Sequence, residues 1–334
     1  MISFFKNYEV KKKNLLEFLT PTSKGTRWYE SPPDGFFNSR VVGRFLLQFH
    51  QVAEQVQNYK LEKKLKFLDV GSGNGLLPEL ISKSFSCLKS VGMDPFEDGE
   101  HITSHAKNSR KKLLDNCLKY IKNKKSIKFE DYENLLKYEG YASKPNKVYF
   151  SKQKKDWEFQ KKFIEQLKKN QKYNFIFAKC IDHVHNWRFL IKEISIRSEK
   201  NAVLMIKHNS FFSFNGAHRY ASTFIPWGHV LLRENEYISY VKKFHKSREK
   251  QMINFYYNNL SYPRTTIDDL KLILIENNWK IEKIEFGINK NIKKMLKNIG
   301  GAKNLLKKAN RNFKHLSLAE LMSSRIILIA KKIS

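Results

Sequence analysis

The chain has 334 residues, 41% of them hydrophobic and 13% aromatic, with 63 Lys and Arg against 32 Asp and Glu, a formal net charge of +31. That apolar content supplies a buried core and excludes a wholly disordered chain. No apolar run approaches the roughly 20 residues that a bilayer-spanning helix needs.

The first residues, MISFFKNYEVKKKNLLEFL, lack the apolar stretch and small-residue cleavage site of a secretion signal. Cys87, Cys117 and Cys180 stand too far apart for a disulfide framework or a zinc knuckle. The expectation is a soluble, cytoplasmic protein in a reducing compartment. The basic excess admits two readings. One is a nucleic-acid or anionic-membrane partner. The other is a compositional tilt, since Lys far outnumbers Arg and Asn and Ile are also abundant. Dedicated phosphate readers lean on the bidentate fork of Arg, and no platform of aromatics interleaved with Arg stands out, so the second is preferred.

Residues 1–60 read as a mostly helical cap, broken at Thr20–Phe37 by Pro21, Gly25, Pro32, Pro33 and Gly35. Val41–Tyr59 has helical spacing. Lys64–Val70 is a buried strand closed by glycines, Leu76–Ser84 opens a helix, and Ser90–Met93 is a second strand ending in Asp94, which makes a βαβ unit. The Lys-rich stretch from Asp94 to Tyr173 has candidate strands near Ile127–Phe129 and Lys147–Phe150. It exceeds what one strand and one helix require, so an insertion at about 100–170 is expected.

Asn174–Ala178 and Ala202–Ile206 are strands on either side of an amphipathic helix, Trp187–Ser195. Asn209–Leu232 reads as a loop rich in aromatics and His. Helices follow at Glu234–Lys246 and Thr266–Asn277, the latter with Thr265 or Thr266 as cap and Asp268 and Asp269 in its first turn. Trp279–Phe286 and Ser324–Lys331 are strands. Between them lies an insertion at 289–320, whose part Asn289–Lys314 is strongly basic, free of acids and split by Gly300–Gly301. No internal repeat is present. The alternation predicts a doubly wound, mostly parallel α/β sheet over residues 61–334, with its last two strands antiparallel at one edge.

Ligands in such sheets lie at the carboxyl ends of strands. The turn FLDVGSGNGLLPEL, Phe67–Leu80, follows the first strand, and glycines there let the backbone bend sharply and approach a ligand that a Cβ would hold away. Its order is G-x-G-x-G with Asp69 two residues ahead. That differs from the G-x-G-x-x-G of dinucleotide binders and from the phosphate-binding loop, and an acid there suits a cationic ligand better than a pyrophosphate.

This stretch resembles motif I of the class I S-adenosylmethionine-dependent methyltransferases. The resemblance extends to Asp94, in the place of the acid that binds both ribose hydroxyls, a good match of two carboxylate oxygens to a vicinal diol. It extends also to NFIFAKCIDHVHNW, Asn174–Trp187, which is similar to the family's fourth strand and the segment after it. Asp182 there takes an acid's place, His183 and Val184 match, and Asn186 replaces the usual Asp. The resemblance implies a seven-stranded Rossmann-like sheet, S-adenosylmethionine as cofactor, and a cofactor site of Asp69, Gly71, Ser72, Gly73, Gly75, Asp94, Pro95, Lys179 and Cys180.

A second stretch, Asn209–Tyr237, follows the fifth strand, where this fold carries substrate-facing loops. Gly216, His218, Pro226, Trp227, His229 and Leu260–Ser261 are similar to a pattern in a subset of bacterial-type methyltransferases, some of which act on small molecules or on surface-glycan and lipid precursors. Transfer to an oxygen or nitrogen is helped by a base of near-neutral pKa. His218, His229 and His183 are the candidates, each weighed against a packing or capping role. Lys179-Cys180-Ile181-Asp182 stands where base N-methyltransferases carry [NDS]-P-P-[YFW], and Cys180 lacks the Pro–Cys setting of RNA cytosine chemistry.

The expectation is transfer to an O or N acceptor on a small molecule or a glycan or lipid precursor. An RNA methyltransferase, favoured only by charge, and a non-catalytic binding module are the alternatives. Arg27, Trp28, Tyr29, Phe36 and Phe37 are candidates to close over the cleft. The basic insert is read either as a surface that touches anionic lipid or RNA or as a helical pair packed on the sheet edge, the latter preferred. No metal is expected, because no His/Asp/Glu cluster shows ligand spacing in the sequence.

Overall fold

The computed structural model describes residues 39–73, 75–95, 110–111, 113–118, 121, 157–179, 181–214, 216–288 and 292–333. The Thr20–Phe37 loop, Ile127–Phe129, Lys147–Phe150 and Cys180 lie outside the described residues.

The strands are β1 (Lys66–Val70), β2 (Lys89–Met93), β3 (Trp157–Gln160), β4 (Tyr173–Lys179), β5 (Ser198–His208), β6 (Trp279–Ile288) and β7 (Ser323–Lys332). They form one seven-stranded sheet in the order β3-β2-β1-β4-β5-β7-β6. The first five are parallel neighbours. β7 runs antiparallel between β5 and β6, so the expected antiparallel pair is present. The helices whose bounds lie among the described residues include α1 (Ser39–Asn58), α2 (Leu76–Ser84), α3 (Trp187–Ile196), α4 (His218–Ala221), α5 (Gly228–Leu231), α6 (Glu234–Phe244), α7 (Glu249–Asn254), α8 (Ile267–Glu276), α9 (Ile292–Asn298), α10 (Ala302–Ala309) and α11 (Leu318–Met322); residues 110–111, 113–118 and 121 are also helical.

The central strands are apolar on both faces because helices cover both faces. Alternate residues go to opposite sides. Phe67, Phe175, Phe177, Val203, Met205 and Ile327 pack beneath α1 and α2. Leu68, Ile176, Leu204, Ile206, Leu328 and Ala330 pack with α3 and α8. Thr266 caps α8 as expected. Its hydroxyl accepts from the Asp269 N–H, and Asp269 Oδ2 accepts from the Thr266 N–H at 2.9 Å, a capping box closed by an aspartate.

Three departures from the sequence expectation have physical reasons. The third strand is Trp157–Gln160 (WEFQ), a half-exposed edge segment with no apolar run to mark it. The expected loop Asn209–Leu232 contains the one-turn helices α4 and α5. After α7 the chain continues as a π-helical turn, Phe255–Asn259, a conformation with no composition signal and one frequent at functional sites.

The basic insert folds as helices packed on the body. Ile292, Met295, Leu296, Ile299 and Leu305 are buried in a third cluster with Phe211, Trp227, Tyr237 and Tyr256. Lys293, Lys297, Lys303 and Lys307 face solvent. Burial of each such apolar side chain stabilises by about 1.5–3 kcal/mol, which outweighs any surface electrostatics of the lysines. No helix among the described residues is long and apolar enough to cross a membrane.

Candidate active site

Strand order reverses at β1. From there the chain runs outward to β2 and β3, then returns to β4 on β1's other side. Such a switch point opens a crevice at the carboxyl ends of β1 and β4. The glycine turn after β1 and the Ile181–His183 turn after β4 stand there.

Gly71, Gly73 and Gly75 have φ of 74°, 60° and 71°, the left-handed region that glycine adopts without strain. A Cβ on Gly71 would meet the Lys179 carbonyl at 3.0 Å. The turn is tied to β2: the N–H groups of Gly71 and Ser72 both donate to the Met93 carbonyl at 3.0 Å. The Gly73 N–H donates to Asp94 Oδ2 at 2.9 Å. Gly92, which sequence reasoning missed, makes room for the turn, since a Cβ there would meet Ser72 Oγ at 2.6 Å and Pro78 at 2.7 Å. Lys179 Nζ reaches Gln48 Oε1 of α1 at 3.3 Å. Pro95 follows Asp94 at the edge of the described residues.

Asp69 is buried, and its Oδ1 has no hydrogen-bond partner among the described residues. Burial pushes its carboxyl up to about 7, with the Ser72 hydroxyl and then Lys179 pulling the other way. An orphaned carboxylate oxygen at the mouth of the crevice fits a cationic group. A second carboxylate, on Asp94, stands at the end of β2 to meet a diol. The residues present therefore fit S-adenosylmethionine, which carries an ammonium, a sulfonium and a ribose.

The second half of the site lies at the carboxyl ends of β4 and β5. Asp182 sits in the 3₁₀ turn Ile181–His183, held by the Trp187 Nε1–H donated to the Ile181 carbonyl at 2.8 Å and the Ser261 N–H donated to the Asp182 carbonyl at 2.7 Å. His218 Nε2 lies 2.9 Å from Asp182 Oδ2, and His183 Nε2 lies 3.7 Å from the same oxygen. The two imidazoles are edge to face at 5.1 Å. Burial alone would raise the Asp182 carboxyl, but the imidazoles of His183 and His218 hold it well below the usual carboxylate range. His183 Nδ1–H donates to the Asn259 carbonyl in the π-helical turn, and Phe255 of that turn packs near both rings.

His218 has φ of 52°, left-handed for a non-glycine residue and of a kind that clusters at functional sites. The Gly216 turn just before it is pressed against the backbone of Ser210 and Phe211. The structure thus brings His183 and His218 together and leaves His229 apart. His229 is buried, with Nε2–H donated to the carbonyls of Phe211 at 2.8 Å and Ser213 at 3.1 Å, and burial lowers its pKa to about 4.

Sequence reasoning also missed His208 and Glu320. His208, at the end of β5, is buried edge-on to Trp187 at 4.9 Å, and burial lowers its pKa to about 4. The Glu320 carboxylate accepts from Ser210 Oγ at 2.5 Å and from the Ile267 N–H at the start of α8. Neither position has a local signal: His208 is one of a run of polar residues, Lys207 to Ser210, at a strand end, and Glu320 is a single acid in a short helix.

A doubly wound sheet with a glycine turn, an orphaned acid at its first strand and a second acid at β2 defines a nucleoside-cofactor enzyme of the Rossmann-like class. The family model described as "Methyltransferase domain" matches residues 43–256, well over half the sequence, and the chain belongs to that family. It is an S-adenosylmethionine-dependent methyltransferase, as the resemblance of motif I implies.

No curated protein sequence matches the chain. Solved structures similar in fold include the plantazolicin methyltransferase BpumL in complex with a triazolic desmethylPZN analog and SAH (14% identity, 100% of each chain, TM-score 0.43). Others are magnesium protoporphyrin IX methyltransferase (ChlM) from Synechocystis PCC 6803 with bound SAH (11%, 99% of each chain, 0.42) and an S-adenosylmethionine-dependent methyltransferase from Mesorhizobium loti (10%, 84% of this chain and 96% of that one, 0.41). Likenesses this distant locate no residue and no substrate in this chain.

Proposed function

We propose that the enzyme methylates an oxygen or nitrogen on a small molecule or a glycan or lipid precursor, with Asp182, His183 and His218 forming the acceptor end of the site. The observation that carries this is the 2.9 Å contact of His218 with Asp182 at the carboxyl ends of β4 and β5. It is supported by the resemblance of the segment from Gly216 to His229 to a subset of bacterial-type methyltransferases, some of which act on small molecules or on glycan and lipid precursors. The lack of the tetrapeptide that grips a flat base also supports it.

S-adenosylmethionine supplies an electrophilic methyl group on a sulfonium. Asp69, Gly71, Ser72, Gly73, Gly75, Asp94, Pro95, Lys179 and Cys180 are the residues assigned to hold it. Asp182 orients His218 by accepting its Nε2–H, which leaves the Nδ1 lone pair to take the acceptor's proton, the division of labour between a base and its orienting acid. His229 serves as scaffold for the loop that carries His218. Residues 1–60 act as a cap on the domain 61–334, and α1 already covers one face of the sheet. We read the setting as reducing and cytoplasmic, in keeping with the buried positions of Cys87 and Cys117.

The test is S-adenosylhomocysteine production by the purified chain against panels of hydroxylated and aminated small molecules, glycan and lipid precursors, and total RNA. Turnover with the first panels that falls in His218→Ala supports the proposal. Turnover with RNA alone, sensitive to salt, overturns it in favour of an RNA methyltransferase. S-adenosylmethionine binding without turnover on any panel makes the chain a binding module.

A further inference from the structure

We propose that Asp182 Oδ2, His183 Nε2 and His218 Nε2 bind one divalent first-row transition ion, which orients and acidifies a hydroxyl acceptor. This rests on the acceptor-end reading above and narrows it to oxygen acceptors.

The three ligand atoms lie within 4.8 Å of one another. Asp182 Oδ2 is 2.9 Å from one imidazole nitrogen and 3.7 Å from the other. Ligands bonded at about 2.0–2.2 Å to one ion stand roughly 3–3.5 Å apart, so small side-chain adjustments close the site. The donor set, two imidazoles and one carboxylate, suits Zn²⁺ or Mn²⁺ and leaves coordination positions open for a substrate.

The tautomer of His183 is already set for coordination. Its Nδ1–H is donated to the Asn259 carbonyl, so the ring, once its other nitrogen is deprotonated, turns an Nε2 lone pair toward Asp182. A backbone carbonyl that fixes the far nitrogen is the usual outer support of a metal-bound imidazole. A lone pair and a carboxylate oxygen 3.7 Å apart repel unless a cation or a proton stands between them. Asp182 is 3% exposed, and its second oxygen, Oδ1, has no hydrogen-bond partner among the described residues. His218 is about one quarter open, which leaves an approach from solvent.

With an ion in place, His218 Nε2 becomes a ligand and its proton sits on Nδ1. A hydroxyl at an open position then loses its proton to solvent and keeps the electron pair, as water does on a bound cation. The ion thus takes over the task that His218 Nδ1 performs in a metal-free site.

The test is calorimetric titration of ZnCl₂ and of MnCl₂ into the chelator-stripped full chain saturated with S-adenosylhomocysteine. One equivalent of either ion bound by the wild type, and at least tenfold weaker binding in His183→Gln and in His218→Gln, supports the site. Asp182→Asn, nearly isosteric, provides the same readout if thermal melts show either His variant unfolded. No binding to the wild type, or equal binding by all variants, overturns it. S-adenosylhomocysteine affinity of the stripped wild type separates the two levels. Retained affinity without metal binding removes the ion alone, and lost affinity removes the methyltransferase site on which the proposal stands.

Discussion

Asp182 and His218 are 36 positions apart in the chain, yet their polar atoms meet at 2.9 Å because β4 and β5 are parallel neighbours that end at the same edge of the sheet. The acid is 3% exposed and the imidazole 23%. The imidazole is thus the more open of the two groups to a substrate. His218→Ala should lower kcat by about 10²–10⁴-fold and leave S-adenosylhomocysteine affinity within about threefold, measured by steady-state kinetics and calorimetry. A matched loss of both would show that the residue holds the fold.

His229 offers the contrast. Its buried Nε2–H satisfies two carbonyls, so His229→Ala should cost about 3 kcal/mol of stability. Chemical denaturation measures this directly. Full stability with lost turnover would move His229 into the reacting site.

Asp69 gives a pH signature. Its carboxyl is raised by burial to about 7. A cationic ligand prefers the ionised form, so S-adenosylmethionine affinity should rise close to tenfold per unit up to about pH 7 and level off above it. Asp69→Asn should flatten the profile. The stability of the apo chain runs the other way. The folded pKa exceeds the ordinary value of about 4, so the contribution of Asp69 is complete below pH ~4 and is lost as pH rises through about 7. Glu320, raised to about 7 first by burial, adds in the same direction. Melting temperature across pH 4–8 checks the sign.

Gly216 carries the loop that places His218. A Cβ there would meet the carbonyl oxygens of Ser210 and Phe211 at 2.2 Å. Gly216→Ala should destabilise by about 3 kcal/mol or more and displace His218. Thermal melting together with residual turnover reads both effects.

The basic insert separates charge from packing. Replacing Lys293, Lys297, Lys303 and Lys307 with Glu should change stability by less than about 0.5 kcal/mol each. Leu305→Ala, in the buried face of α10, should cost about 2–5 kcal/mol. Paired denaturation curves distinguish them.

The central sheet is legible in the sequence because β1, β4 and β5 are buried on both faces and read as apolar runs bounded by glycine or polar residues. β3 is not legible, because Trp157–Gln160 lies at an edge and alternates with exposed positions. The cofactor half of the site is local: Asp69 and its glycines occupy seven consecutive positions, Asp69 to Gly75. The acceptor half is assembled from three segments, around Asp182, His218 and Asn259. Their resemblances single out His183 and His218 one by one, but only strand order shows that the two meet at Asp182, and for the same reason no ligand spacing appears in the sequence. The Asn259 contribution is a backbone carbonyl, which no residue type announces.

The placement of β7 bears on how the chain is made. β7 lies between β5 and β6, and β6 has no other neighbour in the sheet. A nascent chain halted anywhere before Ser323 holds β6 with nothing to hydrogen-bond to and leaves β5 a bare, strongly apolar edge, the kind that recruits other chains. The cofactor half, β1 to β4, waits only for β5, the next strand in the chain, to cover its open edge. During synthesis the strands that flank the cofactor crevice can thus pair well before the far edge of the sheet closes.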